Sequence, residues 1–396
     1  MTRLDPKLWM SRPGFPKLLQ ALGGNCVRLV GGAVRDWLLG MPVADVDLAT
    51  PMQPPQLIAA LEAAGIRAVP TGIAHGTVTA VAGGSPYEVT TLRRDVQGFG
   101  RHAEVAFTDD WRADAARRDF TINALYADPL SGEVLDWFGG LEDLAARRVR
   151  FIGAPLERIA EDHLRILRFF RFTARFAPQP DAEGLAACAA RANDLMALSR
   201  ERIRDELLKL LALPSPADTV ASMLEHGIFR PVLPEIGADG VDRLRTLIAA
   251  ETAARVSADG VRRLSALLPP DAALAGEIGA RLKLSNADRS RLAQDAERAP
   301  VAGDPRALAY AIGPAAALDR LLLSGDPRAG QWAGPLSAWT RPRLPISGKD
   351  LIAMGLAPGP QVSRRLGQVE RRWVEAGFPA DRNRVLAIAR DVMGMV

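Results

Sequence analysis

Residues 29 to 50, LVGGAVRDWLLGMPVADVDLAT, hold two groups of side chains whose types and spacing suit one chemistry. Gly31-Gly32 separate a short apolar run, Val27, Leu29 and Val30, from AVRDWLL, whose apolar spacing predicts a short helix. Glycines between a strand and a helix let the backbone come close to a ligand, and the exposed N–H groups of a helix start favour an anion. Asp45 and Asp47 follow. On an extended strand the side chains at i and i+2 share a face, about 6.6 Å apart along the chain. Two carboxylates there repel unless a cation or solvent screens them. A phosphate-binding turn ahead of paired carboxylates is what metal-dependent chemistry on a nucleoside triphosphate requires. Taken singly, Gly-Gly is ordinary turn chemistry and Asp-x-Asp an ordinary solvated edge.

Three later segments carry further candidates. ARRDFTINAL, residues 116 to 125, places Arg117 and Arg118 before Asp119 at a predicted helix start, where Asp, Thr and Asn also serve as caps. LDWFGGLEDL, residues 135 to 144, sets Asp136 and Asp143 on either side of Gly139-Gly140. In EDHLRILRFFRF, from Glu161, three residues of helix advance by about 300°, so Arg165 is expected roughly 60° from Asp162. Arg168 falls a further step round, Arg171 half a turn from Asp162, and Glu161 projects near Arg168. An Asp acceptor beside an Arg donor complements cytosine and adenine, which present an amino donor next to a ring-nitrogen acceptor. Uracil and guanine present a carbonyl next to an N–H and would be refused, each bidentate match being worth ~1–3 kcal/mol. A helix salt bridge at i, i+3 is the structural alternative. Glu88, in YEVTTLRRD, is a candidate third carboxylate or a surface strand residue. His75 has no second His or Cys at ligand spacing and reads as structural. SGKD at Ser347 lacks the spacing and the Ser or Thr of a P-loop.

The elements that must hold these residues divide near residue 150. Before it the text is mixed: VTAVAGG and YEVTTL form a predicted hairpin around Gly-Gly-Ser-Pro, and RRDVQGFGRHAEVAF reads as a polar, glycine-broken mobile loop entering a short strand. From about Pro155 strand signals stop and helical spacing takes over. The expected fold is α+β: a head with a mixed or antiparallel sheet, then an all-helical remainder. With 396 residues, 48% hydrophobic and 24% charged, the chain is an ordinary globular one, long enough for two to four domains. No apolar run approaches the roughly 18 residues of a membrane span, and no signal-peptide core is evident, so a cytoplasmic location is expected. Cys26 and Cys188 are too few for a disulfide framework or a cysteine zinc site, and both are expected to be buried. The net charge is only +4, but it is uneven. Eight arginines stand between Arg147 and Arg175 against three acids, and ten Lys or Arg follow from Arg341 against five acids. Such segments attract phosphate backbones, or are solvated helix faces.

The string from Leu29 to Thr50 closely resembles the first signature of the class II tRNA nucleotidyltransferase and poly(A) polymerase family, part of the polymerase β superfamily. ARRDFTINAL and LDWFGGLEDL resemble its second and third signatures, the third associated with a hinge between head and neck. The resemblance implies that Asp45 and Asp47 hold Mg²⁺, with Glu88 as a possible third carboxylate. It implies that Gly32 and Arg35 contact the triphosphate, that Arg118 contacts the nucleotide, and that Asp162 and Arg165 act as a protein template for the base, with Arg168 and Arg171 as further nucleotide-binding candidates. Arg94 to Arg101 resembles the family's flexible loop. GKDLIAMGLAPGPQVSRRL resembles the tRNA-binding end of longer bacterial members but departs at Ser363-Arg364. The implied domains are a polymerase β-like head (1–150), a helical neck (151–230), and a body and tail (231–396). The implied function is addition of C, C and A to tRNA from CTP and ATP, with tRNA, ATP and CTP as partners and no membrane or obligatory protein partner. A bacterial poly(A) polymerase and a non-catalytic RNA-binding protein on the same fold are the alternatives.

Overall fold

A computed structural model of the chain describes residues 2–95 and 105–394. Among the described residues nine strands lie in the first 135 and none beyond them, as the loss of β patterning after Pro155 requires. The strands are β1 (Arg28–Val30), β2 (Asp47–Thr50), β3 (Arg67–Gly72), β4 (Thr77–Ala82), β5 (Ser85–Thr91), β6 (Arg93–Asp95), β7 (Val105–Phe107), β8 (Tyr126–Ala127) and β9 (Val134–Leu135). Seven of them make one sheet in the order β3-β4-β5-β2-β1-β8-β9, and β6 pairs with β7. All pairs in the large sheet are antiparallel except β2 with β5. Residues 96–101 of the loop expected from Arg94 to Arg101 lie outside the described residues.

The hairpin β4–β5 turns on Gly83-Gly84 alone, with φ of +57° and +80°; Ser85 and Pro86, expected in the turn, already belong to β5. Two successive positive φ values make the twist of the turn match that of its strands. β1 runs between β2 and β8 and delivers the chain to Gly31, where φ is +70° and the helix Gly32–Leu38 begins. Only glycine takes that conformation readily. The parallel pairing of β2 with β5 puts Asp47 opposite Glu88.

Two compact units appear: residues 1–198 with 226–231, and residues 199–225 with 232–396. In the first, the helix Arg165–Phe176 buries Ile166, Leu167, Phe169, Phe170, Phe172 and Thr173, which leaves Arg165, Arg168, Arg171 and Arg175 on the other side. Phe169 meets Phe120 and Phe151, and Phe172 meets Phe120, at ring-centroid distances of 5.3 to 6.3 Å, so the helix is locked against the segment after Arg117-Arg118. The helix starts later than its sequence suggests. Pro155–Glu161 is a separate helix, and Asp162 stands between the two in extended backbone, its side chain accepting the Leu164 N–H. A short carboxylate that satisfies a nearby N–H competes with the helix ladder.

The second unit is helical. Its centre carries a buried ion network: Arg262 donates to Glu251 (2.7 Å) and Asp319 (3.1 Å), and Arg263 to Glu251 (2.8 Å) and the Leu211 carbonyl (2.7 Å). Its last three helices close around Leu351, Val369, Trp373 and Val385. No helix among the described residues is long and apolar enough to cross a membrane. Cys188 is buried and Cys26 is exposed, against the expectation that both would be interior.

Gly140 of the third signature packs flat on the turn at Thr121. A Cβ there would lie 2.3 Å from the Thr121 carbonyl oxygen, a backbone atom that cannot swing aside. Gly140→Ala is expected to cost about 1–3 kcal/mol of stability. Denaturant unfolding measures it, and a midpoint equal to wild type would contradict the close packing.

Candidate active site

Asp47 is the first residue of β2, and its carboxylate opens into a cavity of about 500 Å³ in the first unit. Asp45 does not share that strand: it is exposed in the irregular segment just before it. The two-carboxylate strand face therefore becomes a different pairing, with Glu88 directly across from Asp47. The surroundings push the Asp47 carboxyl up to about 6, through loss of hydration first, then the charge of Glu88, against the pull of Arg118, with Asp45 adding to the rise. Asp47 thus sits among carboxylates in need of a cation. No three His, Cys, Asp or Glu side chains among the described residues form a closed metal cage. A hard divalent ion working on a triphosphate needs none, because it takes one or two carboxylates and fills its other positions with phosphate oxygens and water.

Arginines dominate the rest of the cavity. Arg35, Arg93, Arg117, Arg118, Arg165, Arg168, Arg171 and Arg175 line it, with only Asp47, Asp119 and Asp162 as acids. Gly31 and Gly32 form its floor beside Asn123, and Phe172 supplies an aromatic wall. Every site residue expected from the sequence lines this one cavity except Asp45, which precedes β2, and Glu88, which stands beside Asp47.

Buried aspartates hold the arginines in place. Asp36 accepts Arg35 Nε (2.8 Å) and Arg175 Nη2 (3.0 Å), while Arg35 also lies over Phe172 and Phe176. Arg35 Nη1 donates to Asn123, whose amide donates to Asp119 (3.0 Å), which accepts Arg168 Nε (2.7 Å). Burial alone would raise the Asp119 carboxyl; Arg168, Asn123 and the Phe120 N–H more than offset it and hold it below the usual carboxylate range. Arg117 and Arg118 end the helix Trp111–Ala116; they do not begin one. At a helix C-terminus cationic side chains are favoured by the dipole. The two carbonyls they leave free accept Arg165 Nη2 (3.0 Å) and Arg158 Nη2 (2.7 Å) respectively.

The break at Asp162 changes the reading of the base-selecting pair. Asp162 and Arg165 are not side by side on one helix at 60°; Asp162 lies in the kink and Arg165 opens the next helix. Both still face the cavity. Glu161 does not brace Arg168. It takes Arg158 (2.6 Å) and Arg165 (2.5 Å), and Arg168 belongs to Asp119. Arg171, expected on a remote face, shares the cavity and lies over Phe172 at 4.4 Å. Asp136 and Asp143 are structural. Asp136 accepts the Phe138, Gly140 and Leu141 N–H groups, and Asp143 accepts Thr121, Arg148 and Arg150. Sequence reasoning passed over Asp36, Asp114, Asn123, Tyr126 and Arg175. The signal for Asp114 was its i, i+3 and i, i+4 spacing to the two arginines.

Residues 27–150 match the poly A polymerase head domain, and residues 179–239 match a probable RNA- and SrmB-binding site of polymerase A. The chain is 33% identical over 391 residues to the human mitochondrial CCA tRNA nucleotidyltransferase 1, covering 91% of this chain and 86% of that one. It is 30% identical over 405 residues to the CCA-adding enzyme of Levilactobacillus brevis, covering 99% and 100%. The chain belongs to the CCA-adding tRNA nucleotidyltransferase family. The Bacillus stearothermophilus CCA-adding enzyme, solved in complex with CTP, shares the fold with a TM-score of 0.74 at 28% identity over 94% of each chain. Membership of this nucleotidyltransferase family carries divalent-metal dependence with it, in keeping with the carboxylates around Asp47.

The raised Asp47 carboxyl has a stability consequence. Its folded value of about 6 stands above its ordinary 3.8, so ionisation costs the folded state increasingly as pH rises between those values. In the presence of a chelator, Asp47→Asn is expected to melt above wild type at pH 7.5, with the difference shrinking to nothing near pH 3.5. Thermal melts across that range decide it. A difference independent of pH would contradict the assignment.

Proposed function

We propose that the protein adds C, C and A in turn to the 3′ end of tRNA, using CTP and ATP and no nucleic-acid template. The tRNA 3′-hydroxyl attacks the α-phosphate and pyrophosphate leaves. The observation that carries the reading is one cavity in which Asp47, the Gly31-Gly32 turn, Arg35 and Arg118 stand with Asp162 and Arg165. A triphosphate on the turn and a base edge on the Asp–Arg pair account for each of them. Arg168 and Arg171 add positive charge on the same helix.

Asp45 and Asp47, with Glu88 beside them, would hold Mg²⁺. When bound, it neutralises charge on the triphosphate and lowers the pKa of the attacking hydroxyl. The chain's own contribution is to bring the carboxylates together, orient the nucleotide and choose the base. Within this reading residues 1–150 carry the transfer, 151–230 the base choice, and 231–396 the grip on tRNA in the cytoplasm. The arginine-rich tail from Arg341 suits the phosphate backbone.

The direct test supplies tRNA lacking its last three nucleotides with each nucleotide singly and with CTP and ATP together. Two C additions and a single A are expected, and long A tracts would mark a poly(A) polymerase instead. Base choice is tested on Asp162, since Arg165 also ties down the Arg117 carbonyl and Glu161. Asp162→Ala is expected to shift the preference for CTP over UTP by ~1–3 kcal/mol, roughly five- to over a hundredfold. Equal losses on CTP, UTP, ATP and GTP in single-nucleotide kinetics would make Asp162 a structural residue.

A further inference from the structure

Asp114 and Tyr126 are buried and lie behind the cavity wall, not in it. Asp114, 1% exposed, accepts four donors: Arg117 Nε (2.8 Å), Arg118 Nη2 (3.2 Å), the Arg93 N–H (3.1 Å) and the Tyr126 hydroxyl. The same hydroxyl accepts Arg118 Nε (3.1 Å), and the Arg118 guanidinium lies over the Tyr126 ring at 5.2 Å. One whole edge of Arg118, Nε with Nη2, is therefore fixed by the pair. The other nitrogen, Nη1, faces the turn: a Cβ built on Gly31 would lie 3.3 Å from it. Arg118 is also the largest attractive charge on Asp47.

The backbone ties this arrangement to the turn it serves. Tyr126 is in β8, directly across from Val30, the last residue of β1 and the neighbour of Gly31. A shift of the turn carries the phenol with it. The Tyr126 hydroxyl is kept protonated by burial, then by Asp114, so it remains a donor to the carboxylate and an acceptor for Arg118. Asp114 stays ionised because Arg118, Arg117 and Tyr126 outweigh the cost of its burial.

We propose that Tyr126 and Asp114 are positioning residues that select which edge of Arg118 meets the triphosphate, so that Arg118 acts through directed hydrogen bonds and not through charge alone. This rests on the reading of Arg118 as a nucleotide contact. Neither residue lines the cavity. A guanidinium held by one edge offers the other at a fixed angle, which a lysine at the same place cannot do. The phenol is the part that can be removed with least damage, because the ring packs edge-on against Trp111 and Trp137 and would stay as phenylalanine.

The experiment is a double-mutant cycle on the full-length protein with tRNA ends and CTP or ATP, read as separate kcat and KM values, with melting temperatures alongside. Arg118→Ala is expected to impair CTP and ATP alike. Tyr126→Phe is expected to lower kcat/KM for both nucleotides by roughly tenfold or more, with the KM for tRNA and the ratio of CTP to UTP unchanged. Combined, the two are expected to be no worse than Arg118→Ala alone, since a residue acting through Arg118 has nothing left to act on. Arg118→Lys is expected to lose as much as Arg118→Ala, an arm that holds even if Tyr126→Phe melts early. Tyr126→Phe kinetics within twofold of wild type, losses that multiply in the double variant, or full rescue by lysine would each overturn the proposal. If Arg118→Ala leaves nucleotide kinetics unchanged, the nucleotide-contact reading of Arg118 fails as well, a separate and recognisable result.

Discussion

Arginines gathered around one cavity repel one another, and a pair of like charges 4 Å apart at a protein surface costs on the order of 4 kcal/mol. Left alone, long guanidinium side chains in that position would swing out into water. Here Asp36, Asp114 and Asp119 prevent it, each buried and each holding two of these arginines or an arginine and an amide. Buried charges without partners are costly, so carboxylate and arginine constrain each other. The rest of the first unit follows from that constraint. The helix Arg165–Phe176 must present its basic side to the cavity because its aromatic side is committed to Phe120 and Phe151.

The same network joins two tasks that the sequence keeps more than a hundred residues apart. A path of hydrogen bonds runs from Arg35 beside the glycine turn, through Asn123 and Asp119, to Arg168 on the helix Arg165–Phe176. A second runs from Arg165 to the carbonyl of Arg117. Groups beside the glycine turn and groups on the helix Arg165–Phe176 are thereby fixed in one frame. Donors held in place before the substrate arrives need no reorganisation when charge develops, which is the larger part of electrostatic catalysis. Asp47 and Glu88 supply the opposite sign at one end, and Arg118 stands between the two regimes.

Much of this was legible in the sequence, for physical reasons. Local patterns gave the strand, glycine turn and helix around Gly31, the β4–β5 hairpin, and the change to helices after Pro155, because each depends on neighbours within a few residues. The misreadings came where a side chain overrode a pattern. Asp162 takes the Leu164 N–H and breaks a helix that periodicity alone would continue. Arg117-Arg118 close a helix instead of opening one, and Asp-rich caps do not reveal which end they cap. Glu88 could not be assigned because its pairing with Asp47 joins strands forty residues apart. Asp114 and Tyr126 were passed over for the same reason: an Asp ahead of two arginines looks like any surface pair until burial shows otherwise.

The claim at the centre is that buried aspartates strengthen an anion site by orienting its arginines. Simple charge counting holds the reverse. Asp36 separates the two views because it holds Arg35 and Arg175 without lining the cavity itself. The measurement is the equilibrium affinity for CTP, by calorimetry without tRNA, of wild type and Asp36→Asn at two salt concentrations. Asp36→Asn makes the protein one charge more positive, yet the account gives weaker CTP binding at both. Tighter binding, greatest at low salt, would mean that the cavity attracts its ligand by net charge and that the buried carboxylates only subtract from it.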